Sequence, residues 1–89
     1  MQNIKNLERV LKALANKRRI AIIAHLKSQQ SASVGNIAGE IDLSFKSTSR
    51  HLSVLSAANI LERTQHSAQV FYRLAEHQEL AAKHIISLL

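Results

Sequence analysis

The sequence of 89 residues contains no cysteine. Without thiols the chain can form neither a disulfide framework nor a thiolate zinc site, and it has no thiol redox chemistry. No apolar run approaches the roughly 20 residues that a membrane span requires, and the opening "MQNIKNLERV" lacks the apolar core of a signal peptide. We therefore expect a cytoplasmic protein with no membrane partner.

Acidic residues are also scarce, because 6 Asp and Glu stand against 12 Lys and Arg and leave a formal net charge of +6. The carboxylates form no recognisable catalytic pair and there is no Gly-rich phosphate loop, so we predict neither enzymatic activity nor a cofactor. Such an excess of positive charge attracts polyanions, of which nucleic acid is the commonest. The basic residues are spread along the chain, which favours nucleic acid over an anionic membrane.

The first part of the chain has the spacing of two helices. Apolar residues at a 3-4-3 spacing line one face of the first helix: Ile4, Leu7, Leu11 and Leu14. Asn16 is a good N-cap for a second helix over about 17–26. The inward side of the second helix is predicted to use Ile20, Ile23 and either Ala24 or Leu26. The polar stretch "KSQQSAS" that follows is predicted to be a loop.

Two further helices follow, separated by the short interruption "DLS". Ser33 can cap the third helix and Ser44 the fourth, because a serine hydroxyl accepts a hydrogen bond from a free backbone N–H of the first turn. Asn59 accepts the left-handed conformation with which helices often end, so the fourth helix should stop near Ala58. The apolar residues predicted to face inward from these helices are Val34, Ile37, Ala38, Ile41, Leu52 and Leu55, with Thr48 one turn earlier. A helix, a short turn and a second helix make a helix-turn-helix.

The remainder is predicted to be a hairpin and a final helix. "ILERT" and "QVFYRL" have the pattern of two strands about the turn "QHSA", and "AEHQELAAKHIISLL" closes the chain as a helix that is apolar on more than one face. No repeat or linker appears, so residues 1–89 are predicted to be a single domain. The fold class is therefore mainly α with a β-hairpin wing, a winged helix-turn-helix of about five helices and two strands.

The stretch "SFKSTSRHLSVL" has short polar and basic side chains on one side of a helix and apolar residues on the other, as a helix that enters the DNA major groove does. Lys46, Ser49 and Arg50 share its outer face, where Arg50 can donate two hydrogen bonds to O6 and N7 of a guanine. A solvated helix start with an N-cap would look similar, but the preceding helix and short turn favour DNA binding. The predicted DNA-binding residues, including those of the wing, are Lys46, Ser47, Ser49, Arg50, His51, Arg63, Gln65 and His66.

The terminal helices carry more apolar surface than a three-helix core needs. We expect it to be buried against a second copy of the chain, with the two recognition helices about one DNA turn, roughly 34 Å, apart. The predicted dimerisation residues are Ile4, Leu7, Leu11, Leu14, Ile85 and Leu88.

Several motifs in order resemble the ArsR-type winged-helix repressors: "LA-N" before the second helix, "LS...STSRHLSVL" through the fourth, "AANILER" into the first strand and "VFYRL" in the second. The resemblance covers nearly the whole chain. It implies a symmetric dimer that binds an imperfect inverted repeat in its own promoter region and blocks transcription until an unidentified small-molecule or protein inducer loosens it. The competing interpretation is a winged-helix module that binds protein, as a subunit or adaptor, without sequence-specific DNA binding.

Departures from the family pattern concern its metal sites. The cysteines of the founding metal sensors are absent from the matching stretch "SVGNIA", and Gln78 stands where other members have a zinc-binding histidine two residues after the acid, here Glu76. On one continuous helix, His77 and His84 would lie two turns, about 10 Å, apart, too far to share a metal ion within one chain. We therefore predict no metal site and no response of DNA binding to zinc, copper, arsenite or thiol oxidants.

Other departures concern DNA contact. Phe45 takes a position where the family often has glutamine, so it either contacts a thymine methyl or packs inward, and inward packing is favoured. The wing tip carries Ser67 and Ala68 in place of glycine and a basic residue, which predicts a weaker wing. Arg18 and Arg19 are predicted to make structural contacts rather than phosphate contacts.

Overall fold

The computed structural model describes residues 3–89, so Met1 and Gln2 of the predicted 1–89 domain lie outside the described part. The elements follow one another along the chain as α1 (Ile4–Leu14), α2 (Lys17–Ser28), β1 (Ala32–Ser33), α3 (Val34–Ile41), α4 (Phe45–Ala57), β2 (Leu61–His66), β3 (Gln69–Leu74) and α5 (Leu80–Ser87). The predicted fold class, mainly α with a β-hairpin wing, is confirmed. No helix within residues 3–89 combines the length and the apolar character needed to cross a membrane.

The predicted helix caps are confirmed. The side chain of Asn16 accepts hydrogen bonds from the backbone N–H groups of Arg18 and Arg19, at 2.9 and 3.1 Å. The hydroxyls of Ser33 and Ser44 each accept one from the backbone three residues later. These contacts satisfy N–H groups that have no partner inside their helix, so the starts of α2, α3 and α4 follow from local chemistry.

The core lies where α2, α3, α4 and the hairpin meet. Its largest fully buried side chains are Ile22, Ile23, Leu26, Ile37, Thr48, Leu52, Leu55 and Ile60. The predicted inward side of α2 is right for Ile23, and of the two alternatives Ala24 and Leu26 it is Leu26 that is buried, while Ile20 is only half-buried. Because α2 contacts α1, α3, α4, α5 and β3, its buried surface also includes Ile22, which a single helical stripe does not predict.

The hairpin belongs to a three-stranded antiparallel sheet of order β1-β3-β2. The short strand β1, which lies in the segment predicted to be a loop, pairs Ala32 with Tyr72 and Ser33 with Phe71. Two residues are too few to show a strand pattern in the sequence. Since Ser33 also caps α3, this pairing attaches the wing directly to the first helix of the helix-turn-helix.

Within residues 3–89, three residues other than glycine adopt a positive φ, and each follows the end of an element: Asp42 at 55°, Asn59 at 60° and Ser67 at 56°. Asp42 ends α3 in the left-handed conformation, and Asn59 follows α4 as predicted. The first strand of the hairpin runs further than predicted, to His66, whereas the second begins at Gln69 as predicted, so the turn contains only two residues. Ser67 therefore adopts the conformation that glycine usually provides in such turns.

The last helix begins later than predicted, at Leu80 rather than near residue 75. The preceding segment is fixed by hydrogen bonds instead, because the Gln78 amide donates to the Ala75 carbonyl oxygen at 2.9 Å and to that of Ile60 at 3.4 Å. His77 consequently precedes α5, and the prediction that His77 and His84 lie on one helix is wrong.

The buried hydroxyl of Thr48 allows a test of how this residue affects the free energy of unfolding. Its side chain is fully buried in α4, and its hydroxyl oxygen has no hydrogen-bond partner within residues 3–89. A buried hydroxyl without a partner costs free energy, and valine has nearly the same shape and helix propensity. We expect Thr48→Val to raise the free energy of unfolding by about 1 kcal/mol in urea denaturation at a fixed protein concentration.

The matched control is Thr48→Ser, which keeps the hydroxyl and removes the buried methyl group. This variant should be less stable than the wild type by about 1 kcal/mol. A Thr48→Val protein that is less stable than the wild type would show that the hydroxyl makes a stabilising hydrogen bond in solution.

Candidate nucleic-acid interface

One side of α4 forms a continuous outer surface, which we call the recognition face. It is lined by Phe45, Lys46, Ser49, Arg50, Ser53 and Val54. Helix α4 contains no acidic residue. Within the described part of the chain, the cations of Lys46 and Arg50 form no ion pair, so their charge is available to an external anion.

The inner side of α4 holds the recognition face in place. Leu52 and Leu55 are fully buried, and they alternate with the outer residues at helical spacing. On the other side of the turn, the end of α3 is attached to α2, because the Arg18 guanidinium donates a hydrogen bond to the Ile41 carbonyl oxygen at 3.3 Å. The two helices of the helix-turn-helix are therefore both anchored on α2.

Arg19 connects α4 to the first helix. Its Nε donates to the Ala13 carbonyl oxygen at 2.6 Å and one Nη to that of Lys12 at 3.1 Å. The other Nη lies 3.2 Å from Nδ1 of His51 in α4. The prediction that Arg18 and Arg19 make structural contacts is confirmed.

His51, one of the predicted DNA-binding residues, is half-buried, and its ring is already engaged by Arg19. Burial lowers its pKa below the usual 6.5, and the charges of Arg19 and Arg18 lower the pKa further. The ring is therefore neutral at neutral pH. With Nδ1 accepting from Arg19, its proton resides on Nε2, which leaves one N–H donor for another group.

The wing residues do not share one face. Paired residues of an antiparallel hairpin lie on the same side, and successive residues alternate. Arg63, opposite the buried Tyr72, lines a groove with Ser49 and Ser53 of α4. His66 lies on the other side, where its ring meets that of Phe71 edge to face at 5.8 Å. The predicted wing set is thus divided between a side that faces α4 and a side that faces away.

Arg73, on the outer side of the hairpin, is not a free cation. It forms an ion pair of 2.7 Å with Glu62, whose carboxylate also accepts a hydrogen bond from the backbone N–H of Glu76 at 3.2 Å. The backbone hydrogen bond and then Arg73 lower the pKa of Glu62 below its usual value. In contrast, Arg63 makes no ion pair among residues 3–89 and remains the basic residue of the wing with free charge.

Phe45 does not pack inward, since 62% of its surface is exposed, and that prediction is wrong. It is the first residue of α4, where the helix extends beyond the core. Two further outer residues, Ser53 and Val54, were missing from the predicted DNA-binding set. The helical spacing does indicate them, because they follow Ser49 and Arg50 by four residues.

The terminal helices pack against each other and leave apolar side chains exposed. We call these the terminal apolar surface: Ile4, Leu11, Leu80, Leu88 and Leu89, with exposed fractions of 83%, 48%, 78%, 68% and 45%. Leu7 and Ile85 are half-buried at its margin. The assignment of Leu14 to the dimer surface needs correction, because this side chain is only 5% exposed in a single chain and belongs to the core.

Among residues 3–89, no three His, Cys, Asp or Glu side chains come close enough together to hold a metal ion. His84 lies on α5, while Glu76 and His77 lie in the segment before it. The arrangement offers hydrogen-bond donors, cations and apolar groups, which are the means by which proteins bind DNA.

The pKa of His51 predicts a pH dependence of stability. Because the unfolded chain binds this proton at a higher pH than the folded protein does, wild-type stability should fall as the pH drops below about 6.5. The His51→Gln variant should lack this loss of stability at low pH. Plots of unfolding free energy against pH for the wild type and the variant should therefore run parallel above pH 6.5 and converge or cross below it.

The measurement is urea denaturation between about pH 5 and 7, a range above the titration of carboxylates such as Glu62. An NMR titration of the wild type should place the His51 midpoint below 6.5. Parallel stability curves over the whole range would contradict a lowered pKa.

The chain resembles known transcriptional regulators in sequence and structure, although no protein-family profile matches it. It is 36% identical over 67 residues to the biofilm growth-associated repressor of Agrobacterium fabrum, a match that covers 75% of this chain and 56% of that protein. It superposes on HlyU from Vibrio cholerae with a TM-score of 0.82 and 30% identity, covering 98% of this chain and 90% of HlyU.

A further similar structure is the homodimeric winged helix-turn-helix DNA-binding domain of a possible ArsR-family transcriptional regulator from Mycobacterium bovis. It has a TM-score of 0.81 and 27% identity, with 96% of this chain and 75% of that chain covered. The chain spans less than two thirds of the length of the curated relatives that it matches. Taken with the ordered sequence motifs, these similarities show that the chain belongs to the ArsR-type winged-helix transcriptional regulators.

Proposed function

We propose that this protein is a dimeric, sequence-specific DNA-binding transcriptional repressor that acts on an inverted-repeat operator. The observation that carries the proposal is the recognition face, a helix surface with free cations and hydroxyls on one side and a fully buried back on the other. In helix-turn-helix proteins the second helix lies in the major groove and presents its first turns to the base edges. Residues 1–89 would act as one domain, without catalysis or a cofactor.

The charges of the described residues favour DNA over other partners. Lys46 and Arg50 line the recognition face of α4, and Arg63 lines the neighbouring groove with Ser49 and Ser53. None of these three cations is neutralised by a carboxylate in the described part of the chain. Arg50 is suited to bidentate contact with a guanine, while Lys46 and Arg63 suit phosphate oxygens. Ser47, Ser49 and the Nε2 proton of His51 add hydrogen-bond donors, and Gln65 contributes from the wing.

Dimerisation is supported by the terminal apolar surface. Ile4 lies on α1, Leu80 lies on α5 and Leu88 directly follows α5. Because α1 and α5 pack together, these exposed side chains are brought to the same part of the molecule. Exposed apolar patches of this kind mark interaction sites. A two-fold axis through it would relate two recognition helices and match an inverted repeat, and the similar domain from Mycobacterium bovis is homodimeric.

We propose repression rather than activation because repression requires only that the dimer occupy its operator. A dimer that occupies an operator blocks polymerase by its presence, which needs no further surface. One relative is named a repressor and another, HlyU, a transcriptional activator. The signal that releases DNA would be a small organic molecule, a partner protein or dilution of the dimer, because the sequence has no thiol with which to sense metals or oxidants.

A protein-binding adaptor is the alternative function. Salt separates the two, because each phosphate contact releases counterions and makes DNA affinity fall steeply as salt rises. We expect binding to random duplex DNA in a gel-shift assay that weakens strongly with added salt. An adaptor would show no binding to duplex DNA at any salt concentration.

The terminal apolar surface predicts that Leu11→Glu produces a monomer. Leu11 is 48% exposed in the last turn of α1, so a charge there would be buried without a partner in the dimer interface but solvated in a monomer. Light scattering across a dilution series should show a dimer for the wild type and a monomer for the variant.

Phe45→Ser is the matched control, because it also removes an exposed apolar side chain but on α4, and it should remain dimeric. A wild-type protein that is monomeric throughout the series would exclude the proposed dimer.

Arg50 and Arg63 are predicted to differ in the kind of DNA contact they make. Arg50→Ala should weaken operator binding by about 1–3 kcal/mol and flatten the preference at one base pair of each half-site. Arg63→Ala should weaken operator and random DNA alike and reduce the salt slope by about one. Fluorescence anisotropy with both duplexes over a salt series measures both effects. An Arg50→Ala variant that loses equal affinity for operator and random DNA would rule out base reading by this residue.

A further inference from the structure

The recognition face contains an exposed aromatic ring that phosphate binding does not explain. Phe45 is 62% exposed, whereas Tyr72 is 6% exposed and Phe71 is half-buried, so it is the most exposed of the three aromatic residues. Single exposed apolar residues are common on soluble proteins and need no special explanation. The position of Phe45 and its neighbours on α4 make it different.

Phe45 is the first residue of α4, directly after the capping residue Ser44. Side chains on a helix tilt toward its N-terminus, so the ring projects at the tip of α4. The tip of this helix is the part that a helix-turn-helix directs at base edges in the major groove. The ring therefore occupies the position from which bases are read.

The neighbours of Phe45 combine charge with apolar surface. Lys46 and Arg50 flank the ring with cations that have no ion pair among residues 3–89, and Val54, 41% exposed, extends the apolar part along the same face. DNA offers a matching combination, because phosphates border the major groove and the C5-methyl group of thymine is the apolar group within it.

We propose that Phe45 is a specificity-determining residue that packs against the C5-methyl group of a thymine in each half-site. This inference rests on the proposed function, since it requires α4 to lie in the major groove. Phe45 and Arg50 are five residues apart, about 7.5 Å along the helix axis, which corresponds to about two base pairs for a helix that follows the groove. The thymine should therefore lie about two base pairs from the guanine read by Arg50.

The experiment starts from an operator selected from a random DNA pool with the wild-type protein. Each thymine of a half-site is then replaced singly by deoxyuridine, which removes the methyl group and leaves every hydrogen-bonding group unchanged. Wild-type affinity, measured by fluorescence anisotropy at fixed ionic strength, should fall about fourfold at one thymine only, the factor that corresponds to about 0.8 kcal/mol for one buried methyl-sized group.

Two variants of Phe45 and one neighbour complete the test. Phe45→Ala should bind the thymine operator more weakly than the wild type does and should not respond to uracil, whereas Phe45→Leu should keep part of the response. Val54→Ala is the matched control on the same face: its overall affinity can change, but the fourfold ratio between the thymine and uracil operators should stay the same. Because Phe45 is exposed, thermal unfolding of its variants should match that of the wild type.

The outcomes separate the inference from the function on which it rests. Wild-type protein that binds its operator but tolerates uracil at every thymine overturns the role of Phe45 and leaves the DNA-binding function intact. Equal uracil sensitivity in wild type and Phe45→Ala also overturns it, because another residue then reads the methyl group. Failure of the wild type to select any duplex removes the proposed function itself, and the inference with it.

Discussion

The guanidinium of Arg19 is the interaction on which the relative placement of the helices depends. A helix ends with four carbonyl oxygens that have no partner inside it. In α1 the backbone beyond the helix satisfies Leu11 and Leu14, through the N–H groups of Ala15 and Asn16 at 2.9 and 2.8 Å. Arg19 satisfies the other two, those of Lys12 and Ala13, and reaches His51 of α4 with its remaining Nη. A lysine could not reproduce this arrangement, because its donors radiate from a single nitrogen.

This contact fixes the geometry between two surfaces that would serve different partners. Helix α1 carries part of the terminal apolar surface, and α4 carries the recognition face. With α1, α2 and α4 joined through one side chain, the distance between the two recognition helices of a dimer is set by how the terminal surfaces meet. That distance must match the spacing of DNA half-sites. A loose attachment of α4 would therefore weaken the preference for an inverted repeat of one fixed spacing.

The parts of the structure that local chemistry determines could be predicted from the sequence. Caps at Asn16, Ser33 and Ser44 and the left-handed residue Asn59 depend on neighbours within four positions, and all four were predicted correctly. The errors concern long-range packing. The pairing of β1 with β3 and the burial of Leu14 depend on segments far away in the sequence.

The candidate site shows the same division between local and distant determinants. The outer positions of α4 follow from helical spacing, which also indicates Ser53 and Val54. The engagement of His51 by Arg19 crosses 32 positions in the sequence and has no local signal. In the wing, the register of strand pairing determines which residues share a side of the hairpin. That register depends on the length of the turn that begins at Ser67, which the sequence pattern did not define.

The described part of the chain exposes large apolar side chains in two places, the terminal apolar surface and the recognition face, and the charges around each place favour different partners. Around the terminal surface, Lys12 of α1 is paired with Glu8, so part of the local charge is compensated, as suits contact with an identical and equally basic chain. Around Phe45 and Val54 the cations are uncompensated, and burying them against another copy of a chain with net charge +6 would be repulsive. Only a polyanion can cover that surface and also neutralise it. The same apolar character therefore favours a second protomer at the terminal apolar surface and the base edges of DNA at the recognition face.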